Sequence, residues 1–256
     1  MLKRSLLTRL VPALAAAKLA LGLVALFATY DLGVAQEPHY PYSFFGLLPA
    51  AFGATAALLL LGGREDRRAV TLGGFFMVTA TAWSNKPLTL LTMRESGVSL
   101  FSLADALELD AFMAWFLWTF VRDFPSPPTS LSSRRRIQLA IFASAAVGLL
   151  FFTFNLLGFA ARHAPGGSGV WEALAWFAPR RGQGVYYVAV LALTGGAFSF
   201  LLWKARFAQW TEQRRARLFL QLLALTLGPM IVEVLLELFV PGYREFILSH
   251  QRIKRG

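Results

Sequence analysis

Three charged side chains stand inside otherwise apolar runs of this 256-residue sequence. Lys18 lies about 12 Å into the first run, counted at 1.5 Å per residue from Leu10. Glu233 and Glu237 are four residues apart in the last run and therefore share one helix face. A charge in an apolar environment is costly, so such residues indicate a partner of opposite charge, a bound ion or a ligand. Lys18, Glu233 and Glu237 are therefore candidate ligand-binding residues.

A simpler role is open for each of these side chains. Lys18 could extend its ammonium group along the helix toward the lipid headgroups, as long basic side chains near helix ends do. Glu233 and Glu237 could face polar neighbours inside a helix bundle, such as Asn155 or Lys18 itself. Both interpretations stay open at this point.

The residues that usually build metal or catalytic sites are sparse. The chain has no cysteine, and His39, His163 and His250 make no metal-ligand spacing with each other or with a carboxylate. No phosphate-binding glycine loop and no nucleophile elbow is present. We expect no metal, no cofactor and no catalytic residue, and no motif argues for an enzyme. His39, in the aromatic segment QEPHYPY, is a candidate ligand contact, with surface packing as the alternative.

The composition is that of a polytopic membrane protein. The chain is 56% hydrophobic and 15% charged, whereas soluble domains carry roughly 25% charged residues. The sequence predicts an all-α transmembrane helix bundle forming one domain over residues 1–256. Its seven apolar runs, each a predicted span, are 10–30, 44–61, 69–84, 104–121, 137–160, 185–203 and 218–240.

The basic residues indicate an orientation rather than a nucleic-acid partner. The net charge is +11, but Lys and Arg occur in short clusters between apolar runs instead of along one polar face. Fifteen of them fall on one set of alternate connections and five on the other set. By the positive-inside rule the N-terminus is cytoplasmic, in a bacterial inner membrane crossed several times. The residues predicted to anchor this topology are Arg134, Arg135, Arg136, Arg214, Arg215 and Arg217.

The connections on the outer side contain further features. Asp105, Glu108 and Asp110 begin the fourth run, where carboxylates suit the positive end of a helix dipole. Trp171 and Trp176 belong to a predicted interfacial helix at about 168–178, with its aromatic side chains at headgroup level. Both tryptophans are candidate ligand contacts.

Proline and glycine mark three other places. The third run is short, and it could continue through Pro87 into the segment LTLLTM. Gly228 and Pro229 interrupt the last run and predict a kink. The basic C-terminal segment PGYREFILSHQRIKRG would lie outside after seven spans, so either an eighth helix returns the chain inward or this basic segment is tolerated outside.

The connector VRDFPSPPTSLSSRRR follows an aromatic span and is stiffened by proline. Because such a connector transmits displacement better than a Gly/Ser linker, it is a candidate signal-transmitting elbow. The alternative is a proline turn with topology arginines and no further role. The elbow residues are Phe124, Pro125, Pro127 and Pro128.

Two stretches together resemble a known class of proteins. They are AWFLWTFVRDFPSPP and TEQRRARLFLQLLALTLGPMIVEVLLELFVPG, which cover about half the chain with their intervening sequence. They are similar to the N-terminal multi-helix membrane region of bacterial sensor histidine kinases and SpoIIE-like phosphatases. The resemblance implies seven or eight spans and a cytoplasmic output module. This chain contains no phospho-acceptor histidine box and no ATP-binding motif, so kinase activity does not carry over to it.

The expectation is therefore an inner-membrane sensory or regulatory domain of a two-component type of system. It would detect an unidentified ligand or membrane state and signal to a cytoplasmic partner, an output module or a second copy of the chain, with the lipid bilayer as its surroundings and no nucleic acid. A small-molecule or ion transporter or channel is the first alternative. An intramembrane enzyme or assembly factor is the second.

Overall fold

The computed structural model describes residues 6–31, 44–93, 97–126, 130–164, 166, 169–170, 172 and 184–240. The regular structure of these residues is helical. Long apolar runs form helices because a helix bonds its own backbone groups internally. This part of the chain confirms the predicted all-α fold. The α-helices are α1 (Leu7–Asp31), α2 (Phe44–Gly62), α3 (Arg67–Thr92), α4 (Leu100–Ala106), α5 (Met113–Asp123), α6 (Leu131–His163), α7 (Gly184–Arg206) and α8 (Trp210–Phe239).

Three of these helices contain segments long and apolar enough to cross a membrane. The segments are Leu7–Thr29 in α1, Leu131–His163 in α6 and Val185–Arg206 in α7. Helix α2 contributes a shorter apolar stretch, Gly46–Gly62. Length and composition therefore support membrane association, whereas the count of seven crossings stays a prediction.

Helix α3 shows that the third apolar run continues beyond its short predicted span. The helix runs from Arg67 through Pro87 to Thr92, so the longer of the two predicted extents is the observed one. It begins at Asp66, whose carboxylate accepts a hydrogen bond from the backbone N–H of Arg68 at 2.8 Å. This N-cap satisfies one of the free donors at the start of the helix.

The fourth predicted span, 104–121, is not a continuous helix. Helix α4 ends at Ala106, Leu107 is extended, and a 3₁₀ turn over Leu109–Phe112 precedes α5. Helix α5 has 11 residues and is therefore about 16 Å long. This is about half the thickness of a hydrocarbon core, which is about 30 Å. We call the end of α4 together with the segment that follows it, from Asp105 to Phe112, the break.

Helix α5 is the centre of the bundle, because every residue from Met113 to Val121 is buried. Two glycines allow its neighbours to come close. The ring of Phe116 lies where a Cβ on Gly74 of α3 would be, and the ring of Phe112 approaches to 2.8 Å from the Cβ position of Gly148 on α6. The bundle therefore packs bulky aromatic rings against bare helix backbone.

The helices alternate in direction around this centre. Arg67 at the start of α3 pairs with Asp123 at the end of α5 at 3.4 Å. Lys204 near the end of α7 bonds to the same end of α5. We call this side, where α3 begins and α5 and α7 end, the basic end of the bundle.

Helix α8 continues through Gly228 and Pro229 as one helix from Trp210 to Phe239. The glycine–proline pair therefore does not end the helix, and the kink stays a prediction.

The contact between Phe116 and Gly74 gives a first prediction. Substituting Gly74→Ala places a methyl group against a fully buried ring that has no room to move. We expect overpacking to lower the free energy of unfolding by about 1–3 kcal/mol, measured by thermal or denaturant unfolding in detergent. Gly62→Ala is the control, because a Cβ there meets no atom within 4 Å. Equal stability of the two variants would contradict the close packing.

Candidate functional site: a buried polar break held by three helices

The break carries a group of carboxylates that the bundle encloses. Asp105, Glu108 and Asp110 are all buried, and we call them the carboxylate cluster. The sequence predicted that they begin a helix, where carboxylates suit the positive end of the helix dipole. Glu108 and Asp110 do lie at the start of the 3₁₀ turn that leads into α5, whereas Asp105 belongs to the last turn of α4, before the chain leaves the helical path. Carboxylates in such surroundings need bonding partners from the protein.

Lys18 is the first of these partners. Its side chain is 1% exposed, and its ammonium nitrogen donates a hydrogen bond to the backbone carbonyl of Leu107. The snorkelling interpretation of Lys18 is therefore wrong, since the ammonium points into the bundle. A positive charge is thereby placed beside the residue that precedes Glu108. The ammonium of Lys18 therefore bonds a carbonyl group in backbone that is not helical, and its positive charge offsets nearby negative charge.

Helices α3 and α7 hold the break from two other directions. Thr89 of α3 donates to Asp105 at 3.2 Å, and Tyr186 of α7 donates to Asp110 at 2.8 Å. The second contact joins residues 76 positions apart in the chain and is buried. Asp105 is therefore bonded by α3, and Asp110 is bonded by α7. Within the described residues, no three His, Asp or Glu side chains come together as metal ligands.

Lys204 makes a second polar site at the basic end. It is buried on α7, and its ammonium donates to the carbonyls of Val121 at 2.6 Å and Phe124 at 2.9 Å. The last carbonyls of a helix have no partner within the helix and carry partial negative charge, which a cation neutralises. In the sequence, Lys204 is only one of the fifteen Lys and Arg residues whose distribution indicates the orientation. Lys204 shares a helix face with the buried residues Ala197 and Leu201. Because α7 is apolar on all sides, its sequence does not show which face is packed.

The elbow residue Phe124 is a packing junction. Its ring stacks on the ring of Phe120 of α5, with 4.9 Å between the ring centroids. The centroid of the Phe219 ring on α8 lies 6.4 Å away. Asp123 beside it pairs with Arg122 and with Arg67 of α3. The end of α5 is thus connected to α3, α7 and α8 at once. Pro125 of the elbow is buried, while Pro127 and Pro128 lie outside the described residues.

Helix α7 is bonded to the α5 region at three levels. Tyr186 bonds Asp110 at the break, and Lys204 bonds the last carbonyls of α5. Between them, the indole N–H of Trp118 donates to the carbonyl of Leu193 at 2.9 Å. Three polar bonds along one helix pair fix both the register and the rotation of α5 against α7.

The predicted anchor arginines lie at the starts of α6 and α8, and their side chains are exposed: Arg134, Arg135, Arg136, Arg214, Arg215 and Arg217. Arg215 pairs with Glu212 at 3.1 Å. An exposed pair of this kind contributes little stability. Lipid anchoring by these arginines stays a prediction.

Several candidate ligand residues are outside the part of the chain, or the side chains, that the structure describes. His39, Trp171 and Trp176 are outside the described residues, as is most of the predicted interfacial helix at 168–178. Glu233 and Glu237 are on α8, and their side chains are likewise not described. Asn155, a suggested partner for them, donates to the carbonyl of Phe151 on its own helix at 2.9 Å. Of the candidate ligand residues, only Lys18 is placed at the site described above.

The buried position of Lys18 gives a second prediction. Lys18→Met removes the ammonium from the Leu107 carbonyl and should lower the free energy of unfolding by about 1–3 kcal/mol. Arg9→Met on the same helix, where the side chain is exposed, should change it by less than about 0.5 kcal/mol. Chemical denaturation of the purified variants in detergent measures both. If the two variants match, Lys18 holds no part of the break.

Comparison with known proteins adds no relative. No family model matches the chain, and neither a curated protein nor a solved structure matches it. The resemblance to the membrane region of bacterial sensor proteins therefore stays a prediction. A function for this chain rests on the contacts of its own bundle.

Proposed function

We propose that the chain is a sensory or regulatory domain of a bacterial inner membrane. In this proposal it crosses the membrane seven times, with its N-terminus and the elbow in the cytoplasm. A stimulus acts at the polar break and shifts α5 together with α7. The shift reaches the elbow, where a cytoplasmic partner, an output module or a second copy of the chain responds. We call this coupling the relay.

The observation that carries the proposal is the attachment of one short helix at both of its ends. Asp110 and Tyr186 connect the break to α7, and Lys204 connects the far end of α5 to the same helix. Only 11 residues of α5 separate the two sites. Since a packed helix of that length is stiff, a displacement at the break is not absorbed before it reaches Phe124. A bonded pair of helices of this kind can carry a small shift across half a membrane.

The basic end suits the cytoplasmic side. It gathers Arg67, Arg122 and Lys204, and the exposed arginines that begin α6 and α8 lie on the same set of connections. Anionic lipids of the inner leaflet attract such residues by about 1 kcal/mol each. The excess of Lys and Arg in alternate connections supports the same orientation.

A transporter or channel is the second candidate, and the break is the observation that favours it. Transporters often bind substrate or ions near the bilayer midplane at helices that are interrupted there. Helix α4, the 3₁₀ turn and α5 form such an interrupted helix, and the carboxylate cluster lies at the interruption.

The relay can be tested with spin labels, because the chain has no cysteine of its own. Ser126→Cys and Thr211→Cys place labels on exposed residues, one just after α5 and one in the first turn of α8. Lys204→Met should shift or broaden the label distance, because it releases the end of α5 from α7. Arg206→Met, an exposed neighbour on the same helix, should leave the distance as it is. Double electron–electron resonance in nanodiscs measures the distance.

The decisive variant in that experiment carries a substitution in the break, at the opposite end of α5 from Lys204. Asp110→Asn weakens the attachment at the break and should also alter the label distance at the elbow. A distance that responds to Lys204→Met but ignores Asp110→Asn would show that the two sites are independent, and the relay would be wrong.

Reconstituted liposomes separate the two candidate functions. A relay domain should add no proton or cation flux above that of protein-free liposomes, measured with internal pH-sensitive and ion-sensitive dyes. Flux that appears with the protein and disappears in Glu108→Gln or Glu233→Gln would favour the transporter and contradict the sensory proposal. Glu65→Gln is the matched control, since Glu65 is exposed in the α2–α3 turn.

A further inference from the structure

The basic end gathers three cations around the carboxylate of Asp123. The guanidinium of Arg122 donates to both carboxylate oxygens, at 3.0 and 3.1 Å, and that of Arg67 lies 3.4 Å from one of them. The ammonium of Lys204 bonds the carbonyls at the same end of α5, including that of Arg122 at 3.4 Å. Asp123 is therefore shared between two arginines before any further charge is counted.

Arg68 adds a fourth cation, and no acid of the bundle pairs with it. It is half-buried in the first turn of α3, and none of the described carboxylates lies within ion-pair distance of its guanidinium. Asp66 bonds the backbone N–H of Arg68, and both Glu65 and Asp66 are exposed. The Arg68 guanidinium and the Lys204 ammonium repel each other. Four positive charges around one carboxylate attract an anion to this place.

The three arginines retain hydrogen-bond donors for that anion. A guanidinium has five N–H donors in a planar fork that matches the oxygens of a phosphate group. Asp123 occupies two of these donors on Arg122 and approaches one on Arg67. The Arg68 guanidinium donates to no group in the part of the chain that the structure describes. A phosphate ester is therefore the anion that this set of donors fits best.

The surroundings of the site favour a phospholipid as the source of that phosphate. Trp203, Phe207 and Trp210 are at the end of α7 and the start of α8, and they are 48%, 76% and 73% exposed. Exposed tryptophans are typical of the level of the lipid headgroups. The apolar segment of α7 also ends here, at Arg206. The basic end therefore lies at the depth where lipid phosphates are found.

We propose that Arg67, Arg68 and Arg122 bind the phosphate group of an anionic phospholipid of the inner leaflet, and that the bound lipid holds the elbow in one position. The second half of this statement rests on the function proposed above. The phosphate oxygens accept N–H groups from the guanidiniums, and the charge of the headgroup offsets the excess positive charge. Because Arg68 begins α3 and Arg122 lies in the last turn of α5, an occupied site joins these two helices beside the elbow.

Spin-labelled lipids test the site on the full chain in phosphatidylcholine liposomes. Electron paramagnetic resonance measures the fraction of each labelled lipid that the protein immobilises. The protein should prefer labelled phosphatidylglycerol to labelled phosphatidylcholine. Arg68→Gln should lower this preference about fivefold, the factor that corresponds to about 1 kcal/mol for one charge at the membrane surface. Arg206→Gln is the matched control, because it removes one exposed charge at the same end, and it should keep the preference.

Three outcomes would overturn the lipid site. The first is a wild-type protein without any preference for phosphatidylglycerol, which would leave an acidic segment of a partner protein as the anion. The second is an equal loss of preference in Arg68→Gln and Arg206→Gln, because general surface charge would then explain the binding. The third is a preference that inorganic phosphate removes and that chloride of equal ionic strength leaves unchanged, since free phosphate would then be the occupant. Arg68→Lys keeps the charge and should keep most of the preference, so it tests the site even if Arg68→Gln folds poorly.

The labels at Ser126 and Thr211 separate this inference from the relay itself. Their distance should differ between nanodiscs of phosphatidylcholine and nanodiscs that contain phosphatidylglycerol, and Arg68→Gln should remove the difference. A lipid preference with a constant distance leaves the site in place and overturns the lipid as a regulator of the elbow. A difference that persists in Arg68→Gln overturns regulation through this site. A lipid preference that persists while the distance ignores Asp110→Asn supports the site and contradicts the relay.

Discussion

One constraint shapes this bundle: backbone that leaves the helical path inside an apolar environment must find its bonding partners in the protein. At Leu107 the chain is extended, and the carbonyl there is bonded by Lys18, 89 residues earlier in the chain. The carboxylates on either side of this extended residue also need partners. Thr89 of α3 bonds Asp105 before it, and Tyr186 of α7 bonds Asp110 after it. The break therefore determines which faces of α1, α3 and α7 must point inward, and at which level each must lie.

The short helix α5, which follows the break, also needs partners from neighbouring helices. Helix α5 ends inside the protein, so its last carbonyls need a cation, and Lys204 supplies it. The rings of Phe116 in α5 and of Phe112 just before it need bare backbone opposite them, which Gly74 and Gly148 supply. Polar bonds at the two ends and aromatic packing along the sides leave α5 little freedom to slide relative to its neighbours. A helix held in this way moves only when its neighbours move with it, which is the physical basis of the proposed relay.

The long helices were predictable from sequence because length and hydropathy are local properties. Helices α1, α6 and α7 follow the apolar runs, and α3 reaches Thr92 along the apolar residues after Pro87. The break was not predictable in the same way. Acidic residues before an apolar run look alike whether the start is exposed or buried, and the partners that bury Asp110 and Leu107 lie 76 and 89 residues away. Lys204 was misjudged for the same reason, since its partner carbonyls are more than 80 residues earlier.

A buried polar site in a membrane bundle can serve transport or signalling, and the two uses require different mechanics. Transport needs two parts of the bundle that rock against each other, so that the site opens to each side in turn. Here the break is bonded to α1, α3 and α7 together, and α7 is bonded again at the other end of α5. Rocking α5 away from α7 would break the Asp110, Trp118 and Lys204 bonds at once. A shift of the joined pair breaks none of them. The bonding pattern therefore favours small collective displacement over alternating access, which is the motion that a regulatory domain uses.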